Sequence, residues 1–230
     1  MKKIIVTCLA LVLAIVASIT GTLAWLTAKT SEVTNTFTVG DINITLIEHE
    51  YDSANPSQAK KVDNKMVEKN VQNYKLIPGT VYFKDPTVTV KANSEKCYLF
   101  VEFTETNSPG NYLTYTSNLS KTDSGWTQGT GTTGTDVNGV PTNVWFRTVE
   151  ASKTDTTFEL LDSNKVTVKN TIVKRPADAT GETDASGNYY MPASTAQPSL
   201  NYKAYAIQSD NIANEAIAWQ NVTTAYTAAS

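Results

Sequence analysis

Threonine fills 35 of the 230 positions, and most of these threonines stand in segments that also carry Val, Ile, Tyr and Phe. Residues branched at Cβ or aromatic suit a pleated, half-buried surface, so the chain is read as all-β. The alternation that a sheet requires is explicit in Val33-Thr-Asn-Thr-Phe-Thr-Val39 and in Ile42-Asn-Ile-Thr-Leu46, with Gly40-Asp41 as the bend between them. Each reads as a strand with one face buried. The run Cys97-Tyr-Leu-Phe-Val-Glu-Phe103 is apolar on successive residues, the mark of a strand covered on both faces. Joined to a strand at 87–91 through Ala92–Lys96, it is expected to form a hairpin at the centre of the sheet. Further strands are predicted at 111–116, 143–150, 157–161, 165–173 and 200–208.

Three stretches interrupt this pattern. Residues 52–73 are polar and charged, including Lys60-Lys-Val-Asp-Asn-Lys-Met-Val-Glu-Lys69, and read as a solvated insertion able to hold a short helix. Residues 124–142 are rich in Gly and Thr, and Asn138-Gly139 can supply the positive φ angles of a tight turn. Residues 176–199 are rich in Gly, Ala, Ser and Thr, a composition and length typical of a surface insertion. Pro78-Gly79 punctuates a turn, and Pro86 restricts the backbone at the mouth of a strand. At the C-terminus, Ile212-Ala-Asn-Glu-Ala-Ile-Ala-Trp219 has apolar residues at helical spacing. It predicts a short helix packed by Ile212, Ala216 and Trp219, with Asn211 as its N-cap.

The N-terminus has the layout of a secretory signal peptide: Lys2 and Lys3, an apolar run from Ile4 to Ala17, then small residues at Thr22 and Ala24. Cleavage after Ala24 makes residues 1–24 the signal peptide and Trp25 the first mature residue. It leaves 25–230 as a single β-sandwich domain with the three insertions. Ile4–Leu26 is also long enough to span a bilayer, so an uncleaved anchor stands as the alternative. Cys8 lies in the apolar region, which leaves Cys97 as the one cysteine of the mature chain, without a disulfide partner, and its strand context points to burial. Losing Lys2 and Lys3 takes the net charge from −3 to −5, and no basic cluster exists. Nucleic acid is therefore excluded as a partner, and a membrane is met only in transit during export.

Catalytic motifs are missing. His49, in Glu48-His-Glu-Tyr-Asp52, is the one histidine of the chain, so H-E-x-x-H cannot be built and any Ser-His-Asp arrangement would have to use this residue. A lone histidine among carboxylates at a strand end reads as surface polar structure. No nucleophile elbow, P-loop or dinucleotide fingerprint occurs. Asp184-Ala-Ser-Gly-Asn188 and Asp136-Val-Asn-Gly139 fall short of a calcium loop and read as turns. The chain is read as a non-enzyme with no catalytic residue, no metal and no cofactor. Trp126, Tyr189 and Tyr190, in the loose stretches, offer a ligand- or glycan-binding surface as a second function.

The segments Gly21-Thr-Leu-Ala-Trp-Leu-Thr27 and Val33-Thr-Asn-Thr-Phe-Thr-Val-Gly-Asp-Ile-Asn-Ile-Thr-Leu46 resemble the TasA/camelysin-like family of bacterial proteins exported with a SipW-type alternate signal peptide. The likeness continues through Ile77-Pro-Gly79, Lys84-Asp-Pro-Thr-Val-Thr-Val90, Cys97–Phe103, Lys165-Val-Thr-Val-Lys-Asn170 and Tyr202-Lys-Ala-Tyr-Ala-Ile-Gln208. It implies a jelly-roll-like antiparallel sandwich, a dedicated signal peptidase of the SipW type, and an extracellular or cell-surface place in a biofilm matrix. It also implies fibres built from copies of the chain or related subunits by donation of the mature N-terminal strand. Here Trp25, Leu26, Val33, Phe37 and Val39 would supply the donated side chains. Camelysin-like members have been labelled metalloproteases, and this chain departs from that label in lacking a zinc motif. The insertions at 52–73 and 124–142 depart from a close-packed fibre geometry.

Overall fold

The computed structural model describes residues 27–30, 37–38, 42–131 and 139–229. The elements are β1 (Thr27–Thr30), β2 (Phe37–Thr38), β3 (Ile44–Ile47), β4 (Lys61–Val62), β5 (Lys65–Met66), β6 (Val81–Phe83) and β7 (Thr87–Val90), followed by β8 (Cys97–Thr106) and β9 (Leu113–Thr114). Then come β10 (Thr127–Gln128), β11 (Val144–Val149), β12 (Thr156–Glu159), β13 (Lys165–Val168), β14 (Ser199–Gln208) and α1 (Glu215–Ala229). The chain is all-β apart from α1, and the strands named in the sheets pair antiparallel. One sheet has six strands in the order β10-β11-β8-β14-β1-β2; two have three, β12-β7-β3 and β6-β13-β9; β4 and β5 form a ribbon of their own.

The six-stranded sheet carries a core on each face. Cys97, Leu99, Val101 and Phe103 of β8 alternate inward with Ala204 and Ala206 of β14, and meet Ile44 and Leu46 of β3 and Val88 and Val90 of β7. This is the sandwich interior. Phe100 of β8 and Tyr205 and Ile207 of β14 point to the opposite face, where α1 covers them with Ala218, Trp219 and Val222. The Trp219 ring centroid lies 5.3 Å from Phe100 and 5.4 Å from Tyr205. The unbroken apolar run of β8 is thus explained: one parity serves the sandwich, the other serves the helix. Cys97 is fully buried, and burial pushes its thiol up to about 12.

Three expectations are corrected. β7 and β8 do not form a hairpin: β7 pairs with β3 and β12, whereas β8 pairs with β11 and β14, so the link between them switches sheets. Both edges of β7 are already filled. Asn93, at φ +64°, turns the chain away, and the buried Ser94 Oγ accepts from Asn43 N at 3.1 Å to pin the link. Residues 52–73 hold a β-ribbon and no helix. Asp63 and Asn64 both take positive φ, the geometry of a two-residue hairpin turn that Asp and Asn adopt readily. Finally, the C-terminal helix starts later and runs further than the expected 212–219. Asn211 has φ +63°, and the cap is Asn214, whose Oδ1 accepts from Ile217 N at 3.0 Å. Ala218 takes the buried position expected of Ala216.

β3, β11, β12 and β14 fall within two residues of the expected ranges, β9 and β13 are shorter than expected, β6 and β10 were not expected, and of the expected Val33–Val39 strand only Phe37–Thr38 lies among the described residues. Pro78-Gly79 forms its turn: Gly79 has φ +80° and Thr80 N donates to Ile77 O at 3.0 Å. Asp184-Asn188 closes as a turn around the Asp184 carboxylate, which accepts from Ser186 N and Asn188 N at 2.9 and 2.8 Å. Among the described residues no helix is long and apolar enough to cross a membrane.

Candidate functional site

Along β3 the inward parity that buries Ile42, Ile44 and Leu46 continues one step beyond the strand and buries Glu48. A carboxylate taken from water needs donors, and it has three. Lys84 Nζ donates to Oε2 at 2.7 Å, while the Tyr74 hydroxyl and Gln72 Nε2 donate to Oε1 at 2.6 and 2.7 Å. The Glu48 and Lys84 side chains are only 10 % and 11 % exposed. The ammonium also lies 5.4 Å from the Tyr74 ring centroid. Burial, reinforced by the Glu48 charge, holds the Tyr74 hydroxyl far above the usual phenol range, so it is a proton donor at any physiological pH.

The next residue along each strand repeats the pairing on the opposite side. His49 N and Nδ1 reach the two carboxylate oxygens of Asp85 at 2.8 and 2.6 Å. Glu48-His49 and Lys84-Asp85 are therefore joined crosswise. Burial raises the Asp85 pKa, and the hydrogen bonds from His49 oppose that rise. The expectation that His49 is surface polar structure is corrected: its side chain is 16 % exposed and fixed on a buried carboxylate. Pro86 and the start of β7 set Asp85 beside it, a placement that the residues around His49 do not encode.

Above the Glu48–Lys84 pair the sandwich is hollow. A cavity of about 510 Å³ opens between the end of β3, the 70–76 segment, β6, β13 and the first residues of β14. Leu46, Leu76, Leu113, Val166, Val168 and Leu200 give it apolar walls. Tyr202, stacked on Phe103 with ring centroids 4.8 Å apart, closes one side. Among the described residues its buried hydroxyl meets no hydrogen-bond partner. Burial, then the nearby Glu48 charge, drives that hydroxyl well above the usual phenol range.

The sites expected from sequence lie elsewhere. Thr22, Ala24, Trp25, Leu26, Val33 and Val39 fall outside the described residues. Phe37 is placed by its backbone alone, in β2 opposite Lys29 of β1. Trp126 packs edge-on against Phe158 at 5.7 Å, with the Arg147 guanidinium over both rings, beside a shallow surface hollow. Tyr189 packs on Tyr112 at 5.8 Å and Tyr190 sits by Arg175, so the three aromatics do not form one surface. The cavity was legible in one respect only: Glu48 shares the parity of Ile42, Ile44 and Leu46. No protein-family model, curated protein or solved structure matches the chain.

Proposed function

We propose that the mature protein is a secreted, jelly-roll-like structural protein of the cell surface or biofilm matrix, released by a signal peptidase of the SipW type. Copies assemble into fibres by exchanging their N-terminal strands. The observation that supports this reading is the position of β1. It lies inside the six-stranded sheet, with Thr27–Thr30 opposite Ile207–Ala204 of β14 and β2 on its other side. A strand at the start of a chain that fills a place between two others can be replaced by the same strand of a second copy, in the same register and with the same backbone hydrogen bonds. Nothing in the ladder distinguishes the two sources.

Electron microscopy and sedimentation of protein beginning at Trp25, beside a form lacking residues 25–40, test the reading. Fibres are expected from the first and not from the second; two indistinguishable monomers sink it. Residues added before Trp25 should block assembly, because the free end has to enter the neighbour.

A second reading, a glycan- or ligand-binding module, is favoured by the half-buried Trp126 beside Arg147 and Phe158 at an open hollow. A glycan array probed with the protein and with Trp126→Ala separates it from the first. Equal signals from the two remove Trp126 from any such site. A camelysin-like protease is the weakest reading. Casein cleavage that is sensitive to chelator and lost in His49→Ala would bring it forward.

A further inference from the structure

We infer that the cavity beside Glu48 and Lys84 is a binding site for a small uncharged molecule with an apolar body and one oxygen acceptor, such as an alcohol, ketone or ester. This does not depend on assembly through the N-terminal strand. Size is the first argument. Native interiors leave few voids larger than a water molecule, whereas about 510 Å³ falls within the range of small-molecule pockets. The walls are the second. Leu46, Leu113, Val166, Val168 and Leu200 come from four separate strands and converge on one space, leaving apolar surface that an apolar occupant would cover.

The third argument is the hydrogen-bond inventory at the polar end. Glu48 already takes three donors, Tyr74 and Gln72 on one oxygen and Lys84 on the other. Gln72 is engaged as well: its amide nitrogen serves Glu48 and His49 O, and its oxygen accepts from Tyr51 N. Two groups have capacity to spare: the Tyr202 hydroxyl, without a partner among the described residues, and Lys84. An ammonium has three N–H donors, one is given to Glu48, and among the described residues no other acceptor is within reach. An occupant must therefore bring an acceptor. It must also be neutral, because Lys84 is already balanced by Glu48. A carboxylate would add uncompensated negative charge next to Glu48 and Asp85, and an ammonium would add uncompensated positive charge next to Lys84. Asn73 and Gln197, both exposed, stand at the mouth and leave a path for entry.

Calorimetric titration of the purified protein with octanol, octanoate and octylammonium at neutral pH tests the inference. Octanol is expected to bind at one site per chain, at least tenfold more tightly than either ion. Leu200→Trp, which fills the space from a half-buried wall position, should abolish octanol binding and leave the melting temperature at or above that of the parent. Lys84→Met should weaken octanol at least tenfold. Two outcomes overturn the proposal: equal affinity for the three probes, or undiminished octanol binding by Leu200→Trp. Should Lys84→Met not fold, the Leu200→Trp result decides alone.

Discussion

The two ends of β14 face the same sandwich and are finished differently. From Ala204 to Ile207 the strand is fully or nearly buried, flanked within its sheet by β8 and β1 and covered by β3 on one face and α1 on the other. From Ser199 to Tyr202 it borders a cavity of about 510 Å³ whose far end holds a buried ion pair. One strand thus builds a filled core and a hollow one. The difference lies in what stands opposite. Ala204 and Ala206 share a packed cluster with Ile44 and Leu46 of β3 and Val88 and Val90 of β7, whereas Leu200 and Tyr202 line the cavity together with Leu113 of β9 and Val166 and Val168 of β13.

If the packed end carries the stability, the largest loss should come from Phe100→Ala, fully buried under Trp219, at about 4 kcal/mol in chemical denaturation. At the hollow end, Lys84→Met should cost about 3 kcal/mol, because it leaves the Glu48 carboxylate buried without its counter-charge. Leu200→Ala, at a wall that already faces empty space, should cost about 1 kcal/mol or less. A loss for Leu200→Ala equal to that of Phe100→Ala would erase the distinction between the ends.

Asp85 sharpens the contrast through pH. Its native pKa is raised, chiefly by burial, so its contribution to stability is present at acid pH and is lost as pH rises through the native value. Asp85→Asn lacks that loss. The deficit in melting temperature of the variant against the parent should therefore narrow as pH rises from acid to neutral.

The smallest effect on folding and the clearest on access comes from thiols. With its thiol pushed up to about 12, native Cys97 should react with iodoacetamide roughly a thousandfold more slowly than in urea. A Leu200→Cys thiol should react readily in the native protein. Equal protection of both would mean that the cavity is closed to small molecules.

The packed end was legible in the sequence because it is local. Ile42, Ile44 and Leu46 alternate, Cys97–Phe103 is apolar on both parities, and Ile212 and Trp219 announce a helix. The hollow end was not, since it depends on which strands stop short and on partners brought from 36 residues away, as Lys84 is to Glu48. The sheet switch at Asn93 escaped for a related reason: a six-residue link reads as a hairpin unless the edges of β7 are known to be occupied. Asp63-Asn64 did carry its turn, and the charges around it pointed instead to a solvated helix.

The placement of β1 beside β14 also sets an order of events during synthesis. Thr27–Thr30 emerge first, yet their partner Ala204–Ile207 is made about 175 residues later, near the end of translation. β2 can pair one edge of this early strand within about ten residues, but the edge that β14 will fill is answered only by water until the last strand is made. In a crowd of nascent copies, any finished β14 is within reach of that waiting strand.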